Sequence, residues 1–196
     1  METLLINRKF PQWHEVLEQL SREGNVTVHV TEDVRDSYVA KLKELGKYDD
    51  FIISKIVDAK ASKDFDNEFL SLDCAVKFVS STREAIEHIN THSSKHTDAI
   101  VTENERSANL FLKGIDSSGV YWNASTRFAD GFRYGFGTEV GISTSKIHAR
   151  GPVGLDGLVT YQYQLRGNGQ VASDYLGAGG KKAFVHKDLN IQGIIL

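Results

Sequence analysis

The chain has 196 residues, of which 40% are hydrophobic and 25% charged, a composition typical of soluble globular proteins. Its 23 Lys and Arg face 26 Asp and Glu, and the net charge of −3 is spread without blocks, which argues against a nucleic-acid-binding protein. No apolar run is long enough to cross a membrane, since a span needs about 20 residues. The single cysteine, Cys74, excludes an internal disulfide framework and suits a reducing compartment.

The first half of the chain alternates strand-like and helix-like patterns. Thr3–Ile6 is a short apolar run typical of a strand. Apolar residues from Trp13 to Leu20 recur with helical spacing, which predicts a helix over Gln12–Arg22 that ends at Gly24. A strand over Val26–Val30 and a helix from about Asp33 to Leu45 follow.

The second half repeats the pattern. Alternating residues predict a strand over Cys74–Val79, and the capping box Ser81-Thr82-Arg83-Glu84 predicts the start of a helix. A strand over Asp98–Thr102, a helix around Glu105–Ile115 and a strand over Gly119–Trp122 complete the series. Strands separated by helices predict an α/β fold with a largely parallel sheet covered on both faces.

A glycine-rich stretch from Asn123 to Gly157 then predicts a long ordered loop, which is usually functional. Alternation from Val159 to Arg166 predicts an edge or hairpin strand in a separate appendage. The final apolar residues, Ile194–Leu196, are expected to pack against another surface.

Several chemical patterns have a simpler structural interpretation. The glycines of Gly135-Phe136-Gly137 do not continue into a dinucleotide-binding motif and more simply allow positive φ or a close approach to a ligand. Three histidines are spaced by four residues, namely His88, His92 and His96, but no further ligand completes a metal site.

Two candidate nucleophiles are also weak. Cys74 lies within a predicted strand, where a buried, inert thiol is expected. A hydrolase triad of Asp130, Ser143 and His148 lacks the sequence around its serine that such a site needs.

The segment Asn123-Ala124-Ser125-Thr126-Arg127-Phe128 is the most informative, because it directly follows a predicted strand. Ligands of α/β proteins bind where parallel strands end. An amide, two hydroxyls and a guanidinium there can hold the carboxylate and ammonium of an amino acid. The alternative is a loop whose polar groups only cap its own backbone.

Several blocks of the sequence resemble γ-glutamyl phosphate reductases, the glutamate-5-semialdehyde dehydrogenases. The spaced residues from Val79 to Ile100, the block Asn123–Phe128 and the stretches Glu139–Thr144 and His148–Pro152 match signatures of that family. The resemblance covers nearly the whole chain, and the tail is similar to fungal members.

This resemblance implies an aldehyde dehydrogenase-like fold. Residues 1–153 would form a catalytic domain truncated at its N-terminal side, and residues 154–196 a small β oligomerisation element with the C-terminal tail. The implied partner is another copy of the chain or a full-length enzyme. An alternative that we keep is a noncatalytic subunit that joins full-length reductase, and a cytoplasmic location is expected in either case.

The resemblance also implies the reaction. NADPH would reduce L-glutamyl 5-phosphate to L-glutamate 5-semialdehyde with release of phosphate, after a cysteine thiolate has displaced the phosphate. In the family that cysteine stands immediately before the stretch matching Met1–Leu5, so we expect no catalytic nucleophile in residues 1–196 and no activity of the chain alone. By the same resemblance Asn123, Ser125, Thr126 and Arg127 would bind substrate and Glu68 would bind the NADP cofactor, with no metal.

Overall fold

Two parallel sheets organise the chain. The larger has four strands in the order β1-β4-β2-β3, namely β1 (Thr3–Asn7), β2 (Thr27–Val30), β3 (Ile56–Asp58) and β4 (Asp73–Val79). The smaller pairs β5 (Thr97–Ile100) with β6 (Gly119–Trp122). This computed structural model describes residues 1–60, 62–138, 154–160, 162–175 and 180–183.

The helices connect these strands. They are α1 (Trp13–Glu18), continued by the π-helical segment Gln19–Glu23, then α2 (Glu32–Glu44), α3 (Asp50–Ser54), α4 (Ser62–Phe65), α5 (Thr82–His92) and α6 (Glu105–Gly114). The predicted α/β class and its parallel strands are confirmed. The sequence pattern missed the short elements α3, β3 and α4, and it did not foresee that the described strands form two sheets, because periodicity locates a strand without identifying its neighbours.

The main core lies on one face of the larger sheet. Alternation in β4 directs Cys74, Val76 and Phe78 toward α1 and α2, while Ala75 and Val79 point to the opposite face. The ring of Trp13 packs edge-on against Phe78 at 5.1 Å between centroids. The other buried members of this core are Ile6, Leu17, Val28, Val30, Val34, Tyr38, Leu42 and Ile52.

The start of α5 confirms the predicted capping motif with one variation. Ser81 Oγ accepts the N–H of Glu84 at 3.2 Å, as a helix N-cap does. The Glu84 carboxylate returns to the N–H of Ser80 at 2.8 Å instead of that of Ser81. Farther along, α5 packs on α6 so closely that a Cβ added to Gly114 would lie 2.9 Å from Cδ1 of Ile86, so a larger residue there would require the Ile86 side chain to shift.

The predicted strand over Val159–Arg166 needs correction. Residues 159, 160 and 162–166 form no regular secondary structure. Tyr163 and Leu165 are 94% and 93% exposed. A strand needs the backbone of a neighbouring strand to hydrogen-bond with, and alternation alone does not supply that neighbour.

The chain separates into two compact units, Met1–Val159 and Thr160–Leu196. The predictions for residues 139–153, with Gly141, Ser143 and His148, lie outside the described residues, as does the apolar tail over 194–196. In the described part of the chain, no helix combines the length and apolar character that crossing a membrane requires.

His88 is buried in α5 against the segment that follows β3. Its ring meets the edge of Phe65 at 4.9 Å and lies 4.4 Å from the ring of His92. Its Nε2 is buried without a hydrogen-bond partner. Burial, assisted by the positive charge of Lys77, lowers the pKa of His88 from 6.5 to about 4. The folded chain therefore holds His88 neutral at pH 7.

We predict that His88 makes the fold sensitive to mild acid. Because its pKa is lowered in the folded state, its contribution to stability is complete above pH 6.5 and is lost as the pH falls toward about 4. His88→Phe should therefore lose less unfolding free energy than the unaltered chain between pH 7 and pH 5, as measured by urea denaturation. His14→Phe should keep the pH dependence of the unfolding free energy that the unaltered chain shows. An equal change of the unfolding free energy with pH in both variants would contradict this account.

Candidate functional site

The first candidate segment surrounds Glu68, at the edge of the larger sheet where β1 and β4 begin. The N–H of Phe69 donates to Oε2 of Glu2 at 2.9 Å. Glu68 itself is exposed, and none of the described residues hydrogen-bonds to its carboxylate. The backbone at Glu68 is therefore held beside the first residues of β1 while the carboxylate remains available to a ligand.

A histidine between two carboxylates lies under this segment. His29 Nδ1 is 2.9 Å from Oδ2 of Asp64, and its Nε2 is 2.9 Å from Oδ1 of Asp73. The Phe69 ring stacks obliquely on the imidazole with 4.7 Å between centroids. We call His29, Asp64 and Asp73 the His29 clamp.

The two carboxyl groups of the His29 clamp are ionised at neutral pH. Burial opposes ionisation of Asp64, but hydrogen bonds from the N–H of Lys60 and from His29 outweigh it, and the pKa of Asp64 falls below its usual value. For Asp73, the hydrogen bond from the Ser71 hydroxyl and then that from His29 lower the pKa. Two negative charges thus flank one imidazole.

The second candidate segment follows β6, where Asn123 adopts a left-handed backbone with φ of 51°. Its Oδ1 accepts the N–H of Thr102 at 2.9 Å, and its Nδ2 donates to the Thr102 carbonyl at 2.9 Å. The indole N–H of Trp122 donates to the same carbonyl at 2.8 Å. Both polar groups of the Asn123 amide are therefore engaged in tying the ends of β5 and β6 together.

The rest of this segment divides by role. Ser125 Oγ accepts the N–H of Arg127 at 3.2 Å and caps the 3₁₀ turn Thr126–Phe128. The side chains of Thr126 and Arg127 are exposed and have no hydrogen bond or ion pair to any described residue. The carbonyl of Arg127 accepts from Arg133 Nη1 at 2.5 Å, which fixes the backbone that carries the exposed guanidinium.

The structure therefore separates the four residues predicted to bind substrate. Asn123 and Ser125 hydrogen-bond with backbone groups, as the capped-loop alternative predicts, while the side chains of Thr126 and Arg127 are exposed and without a partner among the described residues. No contact joins Glu68 to Arg127 among the described residues. Substrate and cofactor binding by these residues remain predictions.

The simpler interpretations of the other patterns are consistent with the structure. Cys74 is 1% exposed, and burial raises the pKa of its thiol to about 12, which makes it a poor nucleophile. Gly135 and Gly137 have φ of 81° and 84°, the positive values that were expected. The Asp130 carboxylate accepts the N–H of Arg133 at 3.0 Å.

The predicted histidine series also has local partners. His92 Nδ1 lies 2.6 Å from Oδ1 of Asp66, and His96 Nδ1 lies 2.7 Å from Oγ1 of Thr97. Across the described ranges, no group of three or more His, Cys, Asp or Glu is arranged to hold a metal ion.

Comparison with known proteins reveals strong similarity. The sequence is 72% identical over 196 residues to the γ-glutamyl phosphate reductase of Saccharomyces cerevisiae, covering all of this chain and 43% of the relative. It is 53% identical over 196 residues to the probable γ-glutamyl phosphate reductase of Schizosaccharomyces pombe, covering 99% of this chain and 41% of the relative. This chain belongs to the γ-glutamyl phosphate reductase family. It spans less than half the length of these relatives, and no protein-family profile matches it.

Solved structures of the γ-glutamyl phosphate reductase family share the fold. The crystal structure from Thermotoga maritima superposes with a TM-score of 0.67 at 40% identity, covering 87% of this chain and 37% of that one. The crystal structure from Saccharomyces cerevisiae superposes with a TM-score of 0.59 at 56% identity, covering 89% of this chain and 36% of that one. The fold expected from the sequence is thus found in both.

The His29 clamp was not predicted from the sequence. Thr27 and His29 alternate along β2 with the buried residues Val28 and Val30, so a titratable ring emerges from the middle of a central strand. That position was a usable signal. Asp64 and Asp73 were harder to foresee as its partners, because they lie 35 and 44 residues away along the chain.

We predict that the two halves of the Asn123–Arg127 segment respond differently to substitution. Asn123→Ala removes both bonds to Thr102 and should lower the unfolding free energy by about 1–2 kcal/mol. Thr126→Ala and Arg127→Ala should change it by less than about 0.5 kcal/mol, since neither side chain has a described partner. Urea denaturation of the three variants tests this, and equal losses would refute the division.

Proposed function

We propose that the chain supplies part of an NADPH-dependent γ-glutamyl phosphate reductase, which converts L-glutamyl 5-phosphate to L-glutamate 5-semialdehyde and phosphate. The observation that carries the proposal is 72% identity over all 196 residues to a curated protein of that name. The two exposed, polar segments around Glu68 and Arg127 are compatible with this role. We also propose a cytosolic location, as befits a chain whose one cysteine is a free thiol.

Arg127 is proposed to hold the anionic substrate. A guanidinium binds a carboxylate or phosphate through paired N–H donors, and that of Arg127 is exposed without a described partner. The Thr126 hydroxyl lies beside it in the sequence and can add a further hydrogen bond. Asn123 and Ser125 then serve substrate binding indirectly, by fixing the backbone that presents these two side chains.

Glu68 is proposed to bind the cofactor. An exposed carboxylate without a described partner is a suitable acceptor for the hydroxyl groups of a ribose. When bound, NADPH would supply the hydride for the reduction. The His29–Phe69 stack and the bond from Phe69 to Glu2 hold the Glu68 backbone in place.

The one cysteine of the chain is not an activated nucleophile. Displacement of phosphate from an acyl phosphate by an enzyme thiol needs a thiolate, and Cys74, the one cysteine of the chain, is buried with a pKa of about 12. We therefore propose that turnover requires a cysteine from outside these 196 residues. Such a cysteine belongs to the rest of a reductase.

We predict that a fusion restores activity. Residues 1–196 would replace the matching part of the Saccharomyces cerevisiae reductase, and NADPH oxidation would be followed with glutamyl phosphate generated in the assay. The fusion should turn over and the isolated chain should not. An inactive fusion that is folded by circular dichroism would refute the proposed function, and so would an isolated chain with a rate near that of the fusion.

Two variants of that fusion are predicted to assign the sites. Arg127→Ala should raise the KM for glutamyl phosphate about 10- to 100-fold, because a hydrogen bond to a charged group contributes about 1.5–3 kcal/mol. Glu68→Gln should raise the KM for NADPH instead. Arg106→Ala, which removes an exposed arginine from α6, is the control and should change neither value. A KM for glutamyl phosphate unaffected by Arg127→Ala would remove that residue from the site.

We also propose that the chain assembles with another subunit, either a second copy or a full-length reductase. Exposed apolar side chains occur in the described part of the second unit, where Tyr163, Leu165 and Val171 are each more than half exposed. Surface of this kind usually marks an interface. Size-exclusion chromatography with light scattering should place this chain in a species heavier than one chain, either alone or in a mixture with full-length reductase. A chain that elutes as a monomer under both conditions would remove the proposal.

A further inference from the structure

We propose that His29 is a positioning residue: as an imidazolium bridging Asp64 and Asp73, it fixes the backbone of Glu68 and Phe69 at the edge of the larger sheet. Its importance for cofactor binding rests on the proposed function of Glu68. The existence of the clamp itself does not depend on that function.

The two hydrogen-bond partners of His29 determine its protonation state. Each of its ring nitrogens lies 2.9 Å from a carboxylate oxygen, which is a hydrogen-bond distance. An ionised carboxylate only accepts, so both nitrogens must donate. A neutral imidazole has one N–H, and its other nitrogen would then face an oxygen lone pair. Only the cation with two N–H groups satisfies both contacts.

Partial burial strengthens these contacts. The side chains of Asp64, His29 and Asp73 are 8%, 17% and 26% exposed, so water competes weakly for them. Asp64 Oδ2, the oxygen that meets His29, also accepts the N–H of Lys60 at 2.9 Å. The second oxygen of Asp73, Oδ2, accepts the Ser71 hydroxyl at 2.5 Å. The clamp is therefore a connected network across three chain segments.

The segment that contains Glu68 and Phe69 runs between two members of the clamp. Asp64 precedes these residues in α4, and Asp73 follows them at the start of β4, so His29 holds both ends of the intervening segment. The Phe69 ring stacks on the imidazole between those two anchors. Leu70 next to it has φ of 56°, a left-handed conformation that is unfavourable for leucine. An unfavourable conformation persists when surrounding contacts impose it.

A purely structural polar cluster would have a different signature. If His29 only stabilised the sheet, its replacement would loosen the β2 ladder as much as the segment above it. A positioning residue acts selectively on the segment. The chain contains reporters for both. The N–H of Lys60 bonds Asp64 of the clamp, and that of Phe69 bonds Glu2 within the segment that the clamp is proposed to fix. The N–H of Ala59 bonds the Val30 carbonyl at 2.9 Å in the ladder.

The test compares His29→Gln with His14→Gln, a matched substitution in α1 outside the clamp. Amide hydrogen exchange of the 196-residue chain should accelerate at Lys60 and Phe69 in His29→Gln by about tenfold or more, as loss of a charge-assisted hydrogen bond implies. Exchange at Ala59 should stay within about twofold of the unaltered chain. His14→Gln should leave all three rates unchanged.

A second measurement uses the unaltered chain and needs no variant to fold. The ¹⁵N-resolved imidazole spectrum at pH 7 should show both nitrogens of His29 carrying protons. A neutral His29 in that spectrum would overturn the proposal, as would equal acceleration at Ala59, Lys60 and Phe69 in His29→Gln. Failure of the proposed cofactor role would appear elsewhere, as an unchanged KM for NADPH in Glu68→Gln of the fusion, and would not alter these rates or this spectrum.

Discussion

The parallel pairing of β1 with β4 is the contact on which the Glu68 segment depends. Its register places Thr3 opposite Ala75, so the residues that precede both strands must lie side by side. Glu2 consequently reaches the N–H of Phe69, although 67 positions separate them in the sequence. On the other side of β4, β2 pairs with Thr27 opposite Asp73, which brings His29 to the same edge. Glu2, His29 and Asp73, one residue from each of three neighbouring strands or its flank, therefore lie close to the Glu68 segment.

This arrangement explains which parts of the site could be predicted from the sequence. The rule that ligands gather where parallel strands end pointed to the segment after β6, because that segment is local and rich in polar groups. Local patterns also predicted the cap of α5 from Ser81 and Glu84 and most of the longer helices and strands. They missed β3, whose three residues are too few to show alternation.

The His29 clamp was beyond local patterns for a physical reason. Its members interact only because the strand order β1-β4-β2-β3 places β2 beside β4, and strand order follows from packing of the connecting helices rather than from any single segment. Similarly, chemistry alone could not show that the Asn123 amide would be engaged by Thr102 while the Arg127 guanidinium stays exposed. The residue types suggested a binding loop, and their geometry distributes the roles within it.

The burial of Cys74 has a practical consequence. Its sulfur points into the core between the larger sheet and the helices α1 and α2, so a thiol reagent can reach it only when that packing opens. The rate at which such a reagent labels the chain therefore reports how often the core opens. With no competing thiol anywhere in the 196 residues, Cys74 serves as a built-in probe of the core behind β4, the strand that carries Asp73.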